Sequence, residues 1–176
     1  MSGHNKWSKI KNQKAVTDGR KSKIFTKMVR LLTVEAKKSK GAMSPGLKTV
    51  IEKAKSLNVP NDTIDRAVKK ASSDNSAAMD SITYESYGPG GVAIIIEALT
   101  ENKNKAAGEI KHILSDNGCE LAAIGSATWA FTRSPDGVWT PNMTMPLADE
   151  DYVKLEKLVD ELEDNDEVQD VYTNAE

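Results

Sequence analysis

The chain has 176 residues, enough for one large domain or two small ones, and its 39% apolar and 28% charged residues are those of an ordinary globular protein. A single cysteine, Cys119, excludes a disulfide framework, and no window approaches the roughly 20 apolar residues of a membrane-spanning helix. The net charge of −2 hides an asymmetry: residues 1–70 carry 18 Lys+Arg against 5 Asp+Glu (+13), and residues 71–176 carry 6 against 21 (−15), which points to a polyanionic partner for the first half.

The opening stretch, MSGHNKWSKIKNQKAVTDGRKSKIFTKMVR, has nine Lys+Arg and one acidic residue, Asp18. No apolar segment follows the early charges, so a secretory signal is not expected. A mitochondrial presequence would favour Arg, whereas the first 19 residues hold four Lys and no Arg. The expected location is cytoplasmic. Trp7 has two readings: it caps the apolar end of a helical bundle, or it stacks on an exposed base with Lys6 and Lys9 on the backbone. His4 beside it reads as a polar surface residue.

Residues 20–38 predict an amphipathic helix. Ile24, Phe25, Met28, Val29, Leu31, Leu32 and Ala36 recur at 3.6-residue spacing. Lys23, Lys27, Arg30, Lys37 and Lys38 fall on the other face, and Val34 lands among them as an exception. Gly41 should end the helix. Ser44-Pro45 reads as an N-cap followed by proline at the first helical position, with Leu47, Val50, Ile51, Ala54 and Leu57 as the inner stripe. A third helix follows Pro60, with Asn61 as its cap and Asp62 and Asp65 near its positive end. Ile64, Ala67, Val68 and Ala71 form its inner face. These three helices predict a small bundle over residues 1–71.

The segment 72–81, SSDNSAAMDS, lacks periodicity and reads as a linker. The domain expected beyond it, 82–176, is acidic. GVAIIIEAL (91–99) is a buried strand and NKAAGEIKHILSDNG (104–118) a helix closed by Gly118. ATWAFT (127–132) alternates as a strand, SPDG (134–137) turns, and GVWT (137–140) returns. Asp149 is expected to cap a helix over 150–163, and VQDVYT (168–173) is a last strand. The order β-α-β-β-α-β is that of a ferredoxin-like unit. The fold class is therefore α+β: a three-helix bundle followed by a ferredoxin-like βαββαβ domain.

The basic stripe is the main candidate for chemistry. Lys23 to Lys37 spans about 21 Å at 1.5 Å per residue, enough to meet successive phosphates. The proposed contacts are Lys6, Lys9, Lys11, Lys14, Arg20, Lys21, Lys23, Lys27 and Arg30, with Trp7 as a stacking residue. Such contacts position a protein without reading sequence. YGPGG (87–91) runs into a strand, and no Lys follows it, so it reads as a tight turn rather than a phosphate cradle. Cys119 has only His4 and His112 as bases and reads as a small buried residue. Metal-ligand spacing is absent, and the acidic run 160–170 lacks the glycine of a calcium loop. No catalytic residue, cofactor or metal is expected.

Four long segments carry a resemblance. The opening 30 residues, VPNDTIDRAVKKA, YESYGPGGVAIIIEALTENKN and LEDNDEVQDVYTNAE resemble the marked segments of the YebC/PmpR family, in the family's order. The likeness covers nearly all of 1–133 and roughly 143–176. It implies an N-terminal three-helix domain followed by ferredoxin-like modules, and no catalytic residues. It also implies a cytoplasmic protein that regulates gene expression: many members carry the description of probable DNA-binding transcriptional regulators, and others act in translation on the ribosome, including at proline-containing stretches. Members also carry a further α/β module of several tens of residues where this chain has only SPDGVWTP (134–141).

Three functions compete on these grounds. The first is a non-enzymatic regulator gripping DNA, or ribosomal RNA on the ribosome, with its basic domain. The second is a protein-interaction adaptor whose basic domain docks an acidic partner, its own 149–176 (2 Lys+Arg against 12 Asp+Glu) being the nearest. The third is an enzyme built on Cys119. No membrane or small-molecule partner is expected, and a monomer is the default.

Overall fold

The computed structural model describes residues 18–73 and 78–176. Among them, twelve elements fall into two compact units that divide between Asp80 and Ser81.

The first unit is helical. Helix α1 spans Asp18–Lys38, α2 Pro45–Ser56 and α3 Asn61–Ala71. Met28, Leu32 and Ala36 of α1 meet Leu47 and Ala54 of α2 and Ile64, Ala67 and Ala71 of α3 in one buried cluster. Helix α1 ends as the sequence predicts: Gly41 takes φ +77° and its N–H donates to the Ala36 carbonyl at 2.8 Å, a left-handed C-terminal cap that glycine adopts without strain. The Ser44 hydroxyl accepts the Leu47 N–H at 3.1 Å, satisfying a donor that has no partner within α2.

One predicted cap differs. Asn61 is the first residue of α3, not its cap; Pro60 holds that position and makes no side-chain cap bond. The Pro60 carbonyl instead accepts the N–H groups of Thr63 and Ile64 at 2.9 and 3.1 Å. Val34, the apolar exception in the basic stripe, lines a shallow depression of about 200 Å³ with Ala78 and Met79.

The second unit is built on three strands, β1 (Asp80–Tyr87), β2 (Ala93–Thr100) and β5 (Val168–Thr173), in the order β1-β2-β5. Helices α4 (Lys103–Asp116) and α5 (Asp149–Asp164) supply the main core. A separate hairpin, β3 (Phe131–Arg133) and β4 (Trp139–Pro141), completes it. The fold class is α+β.

The chain order from β2 to β5 is the expected β-α-β-β-α-β, with two corrections. A strand, β1, precedes it and takes in Asp80 and Ser81 of the predicted linker. The two middle strands form their own sheet, so the single four-stranded ferredoxin-like sheet is not made.

The cause of the second correction is local. In the predicted strand 127–132, the N–H groups of Ala127 and Thr128 donate to the Glu85 carboxylate at 2.7 and 2.8 Å. They cannot also join a ladder. Residues Thr128–Ala130 form a 3-10 turn, and pairing begins only at Phe131.

Strand β2 is buried on both faces, which explains its apolar run, interrupted by Glu97. Val92, Ile94, Ile96 and Ala98 face the helices. Ala93 and Ile95 face the hairpin, against Ala127, Ala130, Phe131, Trp139 and Tyr172. β5 lies antiparallel to β2, with Ile96 opposite Val171, Glu97 opposite Asp170, and a bulge after Glu97. Two carboxylates directly opposite repel. Glu97 is compensated by donors: the Trp139 indole N–H at 2.6 Å, the Thr83 hydroxyl at 3.0 Å, and Arg133 at 3.8 Å. Arg133 also lies 5.3 Å from the Trp139 ring centre. Trp139 thus pins the hairpin to the sheet. Trp139→Ala should cost about 2–3 kcal/mol through lost packing and a short-changed carboxylate. Urea unfolding tests this; a loss below about 1 kcal/mol would show that the hairpin is held elsewhere.

YGPGG is a turn into the central strand. Gly90 and Gly91 take φ +69° and +79°, and the Gly88 N–H donates across it to the Val92 carbonyl at 2.8 Å. Asp149, expected as a cap, opens α5 as its first residue; Ala148 is the cap position. Asp149, Glu150 and Asp151 then lie in the first turn, where the helix dipole favours negative charge.

Candidate nucleic-acid interface

The proposed contacts divide by position. Lys6, Trp7, Lys9, Lys11 and Lys14 lie outside the described residues. Arg20, Lys21, Lys23, Lys27 and Arg30 all lie on α1. The helix brings four of them together: Arg20, Lys23, Lys27 and Arg30 follow spacings of three and four and share one face, which Lys37 extends. Lys23, Lys27, Arg30 and Lys37 are partly covered.

Lys21 does not belong to that face. It is four residues before Phe25, seven before Met28 and eleven before Leu32, so it continues the core row. It stays exposed because the buried cluster begins further along the helix. Glu35 is paired with Lys38 at 2.6 Å.

Sequence reasoning passed over a second group. Lys48, Lys53 and Lys55 on α2, and Arg66, Lys69 and Lys70 on α3, are all exposed. Arg66, Lys69 and Lys70 recur at spacings of three and four and share one face of α3, a short stripe legible in the sequence, whereas the lysines of α2 register only in the +13 total. Lys53, Lys55, Lys69 and Lys70 occupy last helical turns, where a cation meets the negative end of the dipole.

In the second unit, Cys119 is buried, and burial pushes its thiol up, away from the reactive thiolate. His112 is exposed and lies 3.3 Å from Asp116, on the surface of α4. Among the described residues, no helix is long and apolar enough to cross a membrane, and no cluster of His, Cys, Asp and Glu stands ready for a metal ion.

The model of the TACO1/YebC protein N-terminal domain matches residues 5–74, and that of the TACO1/YebC second and third domain matches 79–136 and 134–175. The chain belongs to the TACO1/YebC family. A "probable transcriptional regulatory protein" of Finegoldia magna is 39% identical over 238 positions, covering 99% of this chain and 98% of the relative. One from Caldanaerobacter subterraneus is 35% identical, covering 100% and 98%. The crystal structure of a conserved hypothetical protein from Aquifex aeolicus shares the fold, with a TM-score of 0.82 at 24% identity over 94% of this chain and 96% of that one.

The 238 aligned positions exceed the 176 residues of this chain, so the Finegoldia relative has residues without a counterpart here. The two matched pieces of the second TACO1/YebC model meet at 134–136. That is the tip of the β3–β4 hairpin, where the Gly137 N–H donates to the Ser134 carbonyl and the Ser134 N–H to the Val138 carbonyl, each at 2.9 Å. Where the family carries its further module, this chain closes a tight turn. Loop tips of this kind tolerate gain or loss of a domain because their backbone bonds are local.

Proposed function

We propose that this member of a family of probable transcriptional regulators is a non-enzymatic regulator that holds nucleic acid through the basic face of α1. The supporting observation is the row Arg20, Lys23, Lys27 and Arg30 on one helical face of a domain with net charge +13 over residues 1–70. Cations repeated at helical spacing neutralise successive phosphates and release their counterions. Duplex DNA is the first target, in keeping with the relatives' name. Ribosomal RNA is the second, since phosphate contact alone does not distinguish them.

Binding to duplex DNA, single-stranded RNA and purified ribosomes, measured side by side across a salt series, tests the reading. With six to eight phosphates neutralised, log K should fall against log salt with a slope of about −5 to −7. A flat response on all three would overturn nucleic-acid binding. Crosslinking in cells followed by sequencing separates the targets: reads dominated by ribosomal or transfer RNA would replace the transcriptional role by a translational one.

A further inference from the structure

The second unit holds a loop whose backbone is fixed from within while its large apolar side chains point out. The Glu85 carboxylate, buried at 3% exposure, accepts the N–H groups of Gly125, Ala127 and Thr128 at 2.6, 2.7 and 2.8 Å. The Glu85 carbonyl accepts the Ala122 N–H at 2.8 Å. Two residues along β1, the Tyr87 hydroxyl donates to the Ser126 carbonyl and accepts the Trp129 indole N–H at 3.1 Å. The Asn142 side chain reaches the Trp129 carbonyl from the far side of the hairpin at 3.3 Å.

This scaffold presents Ile124 at 96% exposure and Trp129 at 61%, beside Tyr87 at 38%. Single exposed apolar residues are ordinary, but an isoleucine and a tryptophan on one internally braced loop are the anchor pattern of an interface. The polar atoms of both aromatic rings are already engaged with each other and with Ser126. What they offer a partner is ring surface, without a spare donor for a base or sugar.

Charge selects the partner class. Residues 81–176 carry 6 Lys+Arg and 19 Asp+Glu. A net charge of −13 repels phosphates and attracts a basic surface. We propose that the Ile124–Trp129 loop is a protein-docking site, in which these two side chains enter an apolar pocket on a lysine- or arginine-rich partner. The site is separate from the α1 face and does not depend on it.

The test uses the full chain labelled with ¹⁵N and three synthetic peptides of equal length: one of lysines flanking a Leu-Phe pair, one with serines in place of that pair, and one with glutamates in place of the lysines. The lysine/Leu-Phe peptide should shift the Trp129 indole signal and the amides of Ala122–Trp129. Its affinity should fall about tenfold or more in Ile124→Ser and in Trp129→Ser. Both side chains are exposed, so these variants should keep the amide spectrum of the folded unit elsewhere, and that spectrum is checked first. The site is overturned if the serine peptide binds as well, if the glutamate peptide binds as well, or if the shifts fall elsewhere. It is likewise overturned if a thymidine oligonucleotide, or raising the protein's own concentration, moves the same signals.

Discussion

Replacing Glu85 by alanine is expected to destabilise the second unit by about 3–5 kcal/mol, because three backbone N–H groups lose one shared acceptor. The carboxylate sits at 3% exposure, with its bonds to Gly125, Ala127 and Thr128 between 2.6 and 2.8 Å. Glu85→Gln should cost about 2–3 kcal/mol, since an amide keeps one acceptor but turns a second donor toward N–H groups. Urea unfolding followed at the tryptophans measures both; a loss under about 1 kcal/mol in the alanine variant would show that the loop needs no clamp.

The same residue sets an acid limit. Burial alone pushes the Glu85 carboxyl up, but the N–H groups of Gly125, Ala127 and Thr128, with the Thr128 side chain, outweigh it and hold it below the ordinary 4.5. The unfolded chain therefore binds this proton more readily than the folded one. The contribution of Glu85 is complete above pH 4.5 and is lost as pH falls through the lower, folded value. In Glu85→Gln, that part of the acid dependence should be missing from the stability curve. An unchanged curve would place the acid sensitivity in other carboxylates.

Neutralising the α1 row should have the largest effect on binding. Arg20, Lys23, Lys27 and Arg30, changed together to alanine, should reduce the salt slope by about 3–4 and weaken binding about a hundred- to a thousandfold near physiological salt. Alanine is the strongest helix former, so α1 should persist, and circular dichroism checks that it does. Lys21→Ala supplies the contrast. Lys21 lies on the row of Phe25, Met28 and Leu32, so its loss should change the slope by less than any member of the basic face. Equal losses at Lys21 and Lys27 would mean that the domain binds through total charge and not through one face.

The helices were legible because their determinants are local. Met28, Leu32 and Ala36 announce a buried stripe by spacing, Ser44-Pro45 marks the entry to α2, and Gly41 supplies the left-handed exit from α1. The apolar run of β2 and the strand over 168–173 were equally plain. Strand β1 was not. DSITYESY follows a serine-rich segment, its first two residues fall within the predicted linker 72–81, and Glu85 and Ser86 dilute its apolar signal. It becomes a strand by pairing with β2 at the edge of the sheet.

The loop beyond α4 shows the limit most clearly. Its alternation predicts a strand over 127–132, yet a carboxylate some forty positions earlier takes the N–H groups that such a strand would need. No local pattern marks Glu85 as an acceptor. Nor does one mark Trp129 as exposed and Trp139 as half-buried, although both are tryptophans in short segments of similar composition.

The sequence by itself determined the helical bundle, the charge asymmetry, the basic face of α1 and the family, because each depends on spacing or composition along the chain. Tertiary structure alone decided the pairing of the strands, the separate hairpin and the Glu85-braced loop. Those depend on which distant residue supplies the hydrogen-bond partner, and that is settled only when the chain closes on itself.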